Sequence, residues 1–376
     1  MSSSTVKDGL INGIENMTTP VNHNKILRGT TAKVKAYTGP AGELVFDTER
    51  RTLFIQDGLT PGGVPVKGAG KNYVVDGDFN HWDEAASQTA SGYGSSTMWR
   101  HLHNGSTKTV SRQAFTLGDL SVPGNLRYFC RTVVNTAPAG DGNYVSMSHH
   151  IESVRSLAGS TALLLLWARS ETSGNMAVEF RQKFGGASPA VVSGIGSALL
   201  SLTPTWQKFS IFVDIPSISG KTIDSLGNDN LSLVFWFDAG ATYSAQAAGL
   251  GRQTGTFDIA RVRLTNSDSH GDFIDYSRYD EIPRVGRYYQ KGRTGLFNSY
   301  VSSGQTYLSS TFLPFPLRDY TAAQVSLVNA TNLDFPATVG TPTLLSPDLF
   351  SEYRAASATS ATGRFSSNYT IDNRLV

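Results

Sequence analysis

Apolar residues in this chain come in runs of four to eight, bounded by Gly, Asn, Asp or Pro. They alternate with polar residues far more often than they recur at every third or fourth position. Segments 43–47, 52–56, 143–151, 161–169, 176–184, 207–215, 231–237 and 256–265 all read this way. Many short strands separated by turn signals build sandwiches or barrels, and βαβ units need a different pattern. The predicted fold class is therefore all-β. Helical spacing is confined to two stretches, 6–17 and 276–291. In the second, Ile282, Val285 and Tyr289 fall on one face and Pro283 suits the first turn. No period of 20–50 residues recurs, which sets aside solenoids, the parallel β-helix included.

Composition narrows the class. Charged residues make up 16% of the 376, against about 25% in ordinary soluble domains, and the 39% hydrophobic content is enough for a sizeable core. The net charge of +2, with no Lys/Arg block, argues against a nucleic-acid-binding surface. A single cysteine, Cys130, excludes an internal disulfide framework and any CxxC metal site. The opening MSSSTVKDGLINGIENM lacks the apolar stretch of a signal peptide. Runs 162–168 and 231–237 are too short to span a bilayer, so no membrane insertion is expected. A Gly/Ser/Thr-rich, poorly charged β protein of this kind suits an extracellular particle.

Shifts in composition mark the organisation. Residues 1–24 form a polar leader, and 25–68 a compact set of short strands that runs into the flexible KGAGK at 67–71. Residues 69–272 carry the longer strands of one sandwich. Residues 273–292 are a charged, Tyr-rich connector, and 293–376 hold a further small β domain with Pro-rich turns.

Two stretches resemble parts of bacteriophage receptor-binding proteins. ILRGTTAKVKAYTGPAGELVFDTERRTLFIQDGLTPGGVPV, residues 26–66, resembles the N-terminal domain of the phage major tropism determinant family, with its LRGTT opening, GEL-x-x-DT strand and TL-x-x-x-DG strand. About 40 residues bury too little surface to stand alone. The resemblance implies a small trimeric β-prism, hence a homotrimer. NYVVDGDFNHWDEA (72–85), TPTWQKFSIFVDIP (203–216) and GTFDIARVRLTN (255–266) are similar to strands of tail-fibre jelly rolls of carbohydrate-binding-module type. EIPRVGRYYQKG (281–292) resembles the connector that follows them, with Val285-Gly286 where usual members carry a Cys. GRFSSNYTIDNRLV resembles the end of a small C-terminal β-sandwich-like domain.

Candidate residues follow. Trp167, Trp206 and Trp236 lie in or beside apolar runs and read as core, and Trp82 as structural. Trp99, in the loop-like GYGSSTMWRHLHNG, is the surface candidate. With Tyr93, Arg100, Tyr144 and Tyr243 it makes a set of loop residues suited to stacking on sugar rings and bonding their hydroxyls or acidic groups. Asp76, Asp78 and Asp258 are hard oxygen donors. In carbohydrate-binding jelly rolls such residues hold a structural Ca²⁺ between the first and last strands, and the competing reading is that they cap turns or face solvent. His101 and His103 would share a strand face, and on a trimer axis could meet one metal ion; a plain polar strand face is the competing reading. His149 and His150 would face opposite ways.

No catalytic motif such as G-x-S-x-G or H-E-x-x-H occurs, and Glu171, Glu179 and Asp214 gain meaning as a carboxylate pair only through their separation in space. The expected function is that of a non-enzymatic phage fibre or spike protein on the virion. It would be held to other virion proteins by its N-terminus and would attach to a bacterial surface polysaccharide. The alternatives are a structural collar, head-fibre or baseplate component, and a glycan-cleaving spike. No cofactor is required; a structural Ca²⁺ is an option that the jelly-roll resemblance adds.

Overall fold

The computed structural model describes residues 26–49, 51–66, 71–225, 227–266, 278–298, 301–318, 324–333, 335, 342–357 and 363–375. The described residues fall into two compact units, one ending at Val66 and one starting at Lys71. The leader and the helix expected at 6–17 lie outside the described residues.

The first unit is a four-stranded sheet in the order β1-β2-β3-β4, made of β1 (Leu27–Gly29), β2 (Leu44–Asp47), β3 (Thr52–Ile55) and β4 (Val64–Val66). Strands β1 and β2 pair in parallel and the others antiparallel. A short helix, α1 (Thr31–Ala36), joins β1 to β2 where the alternation suggested strands alone. Thr30 opens it by accepting from the Lys33 N–H through its side chain, and it buries Val34. Thr31 Oγ1 donates to the buried Asp47 at 3.0 Å, which ties the helix to β2. The register sets Leu44 opposite Ile55 and Ile55 opposite Val64, with Phe46, Leu53 and Val66 in the next row. One face of the sheet is thus wholly apolar in these rows, and Leu44, Ile55, Val64 and Val66 on it are exposed at 37–48%.

The second unit begins as a β-sandwich, and the long alternating runs supply its strands. The first sheet has the order β13-β10-β15-β8-β7-β5. Its strands are β5 (Ser87–Gln88), β7 (Thr107–Ala114), β8 (Tyr128–Thr136), β10 (Thr161–Ser170), β13 (Gln207–Asp214) and β15 (Gly255–Asn266). The second sheet, β12-β11-β14-β9-β6, uses β6 (Arg100–Asn104), β9 (Tyr144–Glu152), β11 (Gly174–Lys183), β12 (Val192–Leu202) and β14 (Asn230–Ala239). Between them lies one continuous core containing Leu164, Leu166, Val213, Ile259 and Leu264 from the first sheet and Met147, Val178, Phe180, Leu233 and Phe235 from the second. The fold class is all-β, as the strand pattern requires, and the sandwich is of the jelly-roll type that the resemblance implied.

The helix expected at 276–291 is α2 (Arg278–Gly286), with Pro283 at its sixth residue and not in the first turn. Docking sets this frame: Glu281 accepts from the Asp76 N–H at 2.8 Å, and Arg284 Nη2 donates to the carbonyls of Asn72 and Val74. Gly286 lies where any Cβ would collide with the Phe315 ring.

Two three-stranded sheets complete the unit. One is β16-β21-β18, from β16 (Tyr289–Asn298), β18 (Gln324–Leu333) and β21 (Gly363–Asp372). The other is β17-β20-β19, from β17 (Thr306–Phe312), β19 (Pro342–Ser346) and β20 (Leu349–Ala355). Phe350, Tyr369 and Ile371 pack between them beside a buried Arg354–Glu352 pair at 2.6 Å, whose charges are also bonded by Ser367.

Candidate functional site

Side chains on β14 alternate between two environments. Leu231, Leu233, Phe235 and Phe237 enter the sandwich core, so Asn230, Ser232, Val234 and Trp236 turn to the opposite side of the sheet. Strand β9 repeats the division, with Met147 and Ile151 inward and Tyr144, Ser146, Ser148 and His150 outward. On β11 the outward set is Ala177, Glu179, Arg181 and Lys183. On β6, Arg100 and Leu102 pair with Ser148 and Ser146 and share their face. On the outer face, β9 and β14 therefore carry the buried Ser146, Ser148, Asn230 and Ser232 between Arg100 and Leu102 on β6 and Glu179, Arg181 and Lys183 on β11. At the usual spacing between paired strands, β6 and β11 stand roughly 14 Å apart.

One end of this face is aromatic. The rings of Tyr144, Trp236 and Tyr243 meet with centroids 5.7, 5.1 and 5.1 Å apart. Trp236 is only 2% exposed, while Tyr144 and Tyr243 keep part of their surface open. Trp236 Nε1 donates to Glu179 Oε1 at 3.1 Å, and Arg181 lies over the indole ring at 5.3 Å while bonding the same carboxylate. Glu179 Oε2 accepts from the Gly194 N–H at 2.6 Å, so both oxygens of this buried carboxylate are engaged. Tyr243 belongs to the 3-10 turn Ala241–Tyr243, whose start is clamped by Gly240 N–H to Asn143 O at 2.8 Å and Thr242 N–H to Asp141 O at 3.1 Å. A Cβ at Gly240 would lie 2.3 Å from Asp141 O, so only glycine permits that approach.

The middle of the face is a polar ladder. His150 Nδ1 lies 2.9 Å from Ser232 Oγ and its Nε2 3.3 Å from Ser148 Oγ, and Ser232 donates to Asn230 at 2.6 Å. Burial, with Lys183 nearby, holds the His150 imidazole well below its ordinary pKa, so it is neutral. The far end is basic. Lys183 is held down to about 8 by burial and by the charges of Arg100 and Arg181.

The structure brings three of the five sequence-predicted glycan residues, Arg100, Tyr144 and Tyr243, onto this one face. It puts Trp99 elsewhere, and this corrects the surface assignment. The ring is fully buried, stacked on Phe79 at 5.0 Å and beside His149 at 4.9 Å, and its Nε1 donates to Asp76 O at 3.0 Å. The Gly- and Ser-rich stretch before it folds inward because Ser95, Ser96 and Thr97 are themselves buried and bonded. Tyr93 is turned to the C-terminal sheets: its hydroxyl donates to Leu375 O at 2.7 Å and Arg374 lies over its ring.

The acidic set does not form a common cation site. Asp258 lies between two arginines. Its Oδ1 accepts from Arg131 Nε at 2.8 Å, and its Oδ2 from Arg131 Nη2 and Arg169 Nε at 2.9 Å each. Asp76 is spent on the N–H groups of Asn80 and His81, and burial beside Glu281 holds its carboxyl well above the ordinary range. Asp78 is partly buried. Among the described residues no three His, Cys, Asp or Glu side chains gather as a metal-binding group. Of the three carboxylates of the Ca²⁺ expectation, Asp258 is thus held by two guanidinium groups and Asp76 by main-chain N–H groups.

His101 is fully buried on Ser96, whereas His103 bonds Ser91, so the two differ in environment despite their spacing. Trp206, expected in the core, is partly exposed and packs with Phe115 and Phe129 below Arg169. Glu179 and Asp214 lie on different sheets of the sandwich.

No protein-family model and no curated protein matches the chain. Solved structures do resemble it. The enzymatically active domain of tailspike protein 4 of bacteriophage CBA120 is 13% identical over 52% of this chain, with a TM-score of 0.31; the match spans 21% of that chain. The xylan-binding CBM22-2 domain of Paenibacillus barcinonensis Xyn10C is 14% identical with a TM-score of 0.30, covering 45% of this chain and 92% of that one. A family 11 carbohydrate-binding module of Clostridium thermocellum, in complex with a mixed-linked tetrasaccharide, is 10% identical with a TM-score of 0.30, covering 49% and 98%.

Sequence reasoning placed Trp236 among buried residues, as the structure does, but missed that it lies on the outer side of the sheet with Arg181, Lys183 and His150. The signal was present in LSLVFWFDA: Trp236 has the parity of Ser232 and Val234, opposite to Leu231, Leu233, Phe235 and Phe237. A tryptophan in step with serine faces away from the core.

Proposed function

We propose that the chain is a non-enzymatic fibre or spike protein of a virion that holds a bacterial surface glycan on the outer face of the β6-β9-β14-β11 sheet. The observation that carries this is the cluster of Tyr144, Trp236 and Tyr243 at one end of that face. Sugar rings present apolar C–H faces and a rim of hydroxyls. Partly open tyrosine rings meet the first, and the partly exposed Arg100 meets the second. Such a site is weak in a single copy, because sugar and protein both exchange water hydrogen bonds for one another.

Assembly supplies the missing strength. The apolar face of the first unit, with Leu44, Ile55, Val64 and Val66 exposed, suits three copies packed about an axis, as the LRGTT-type resemblance implies. Three sites on one fibre, and several fibres on one particle, raise the effective concentration of the glycan. In this reading the first unit and the leader dock on other virion proteins and the sandwich meets the host. A glycan array probed with the full chain tests it: retention of a defined bacterial saccharide supports the reading, and an array without hits counts against it.

A further inference from the structure

Lys183 ends β11 at the basic end of the proposed glycan face. It also lines a cavity of about 730 Å³ between the sandwich and the C-terminal sheets, together with Tyr93, Tyr289 and Arg318. The charges in its wall can be followed one by one. Glu84 and Asp372 both bond Arg374 at 2.6 Å, and Tyr93 and Tyr289 hold that guanidinium at 4.1 and 4.4 Å from their ring centres. Both carboxylates of the wall are therefore already bonded, sharing the one guanidinium of Arg374. Arg318 donates to main-chain Gly227 O and to Asn373, neither of them charged.

Lys183 itself has no hydrogen-bond or ion-pair acceptor among the described residues, and neither has Arg100 on β6. The two cations stand within electrostatic reach of each other, with Arg181 as a third positive group beside Lys183. A partly buried ammonium beside two guanidiniums, with no acceptor of its own, costs stability in the free protein. An oxyanion placed there would give the Lys183 ammonium an acceptor, whereas Arg181 already has one in Glu179.

We propose that the glycan held on this face is anionic, and that its charged oxygens are received by Lys183 at the mouth of this cavity, with Arg100 adding positive charge from the same sheet face. The proposal rests on the glycan-binding reading of the same face. The chemistry is that of an oxyanion on a sugar chain, carried either as a uronate carboxylate or as a phosphodiester. Lysine acts as a point charge and accepts both. The other titratable or charged groups near Lys183 are His150 on β9, Asp224 against Gly185 and Gly186, and Glu84, Tyr93, Tyr289, Arg318, Asp372 and Arg374 around the cavity.

The test titrates the full chain with polygalacturonate, poly(glycerol phosphate) and dextran at fixed ionic strength. It is repeated with Lys183→Met, Lys183→Arg and Arg100→Gln, each first checked by thermal melting. One of the two acidic polymers, which identifies the source of the charge, should bind at least about tenfold more tightly than dextran. Lys183→Met should remove that preference, Lys183→Arg should retain it, and affinity for the acidic polymer should fall as pH rises through about 8. Dextran binding as tightly as both acidic polymers would overturn the proposal and leave the glycan reading standing. Failure of all three polymers to bind, with no saccharide retained on an array, would overturn both.

Discussion

The rings of Tyr144 and Tyr243 meet edge to face at 5.1 Å, one from the start of β9 and the other from the turn that follows β14. Neither strand pairing nor local sequence places them together. The clamp does so, through Gly240, Thr242 and the Asp238–Arg252 ion pair at 3.0 Å that fastens the loop's return. Aromatic rings fixed in this way lose little freedom when a sugar arrives.

Trp99 serves the fold. Replacing it by alanine removes a ring packed on Phe79, His149 and Phe235 and leaves Asp76 O with only the Phe79 N–H as donor. Trp99→Ala should cost about 3–5 kcal/mol, read as a lower urea midpoint. Trp99→Phe should recover most of it, losing only the bond.

Asp258 should behave as an ion-pair residue. Asp258→Ala leaves Arg131 and Arg169 beside each other without their carboxylate, lowering the melting temperature. The drop should be the same with and without EDTA; a loss of stability in EDTA that Asp258→Ala abolishes would support the calcium reading.

How much of this was legible in advance depends on whether period two had a local or a distant cause. Strands such as Thr161–Ser170 and Gly255–Asn266 appear within a residue or two of their expected limits, because alternation and flanking turns fix them locally. Trp99 read as loop because its neighbours are Gly, Ser and Thr, and only the packing of Phe79 and Phe235 from distant segments makes it core. The short helix Thr31–Ala36 was hidden because its stabilising contact, Thr31 to Asp47, crosses to another strand. Lys183 carried no local mark at all. Its meaning comes from Arg100, which lies on a strand three positions away in the same sheet.

His149 should make the protein acid-sensitive. Buried with Nδ1 on Met98 O and Nε2 accepting from the Val75 N–H, it is held down to about 3. The unfolded chain takes up a proton near pH 6.5 while the folded one does not. Its contribution is thus full above 6.5 and is lost as pH falls toward 3. Between those limits the pH slope of unfolding free energy should be smaller in His149→Gln than in the unaltered protein, by about 1.4 kcal/mol per pH unit.

Ile55 tests assembly. It stands between Leu44 and Val64 in the middle of the apolar face of the first unit. Light scattering should give a trimer for the unaltered chain and a smaller species for Ile55→Asp. A stable monomer at micromolar concentration for the unaltered chain would defeat the three-fold reading.

Isothermal titration with the saccharide retained most strongly on a glycan array, comparing the unaltered chain with Tyr243→Ala, tests the binding face most directly. Tyr243 is partly exposed and its loop is anchored by other residues, so the variant should stay folded, with a melting temperature lowered by the lost contacts to Tyr144 and Trp236. If the outer face of the five-stranded sheet holds the sugar, its affinity should fall about tenfold, the loss expected for one aromatic contact of about 1.4 kcal/mol. Unchanged affinity in a folded Tyr243→Ala variant would contradict the account and place the receptor site elsewhere on the chain.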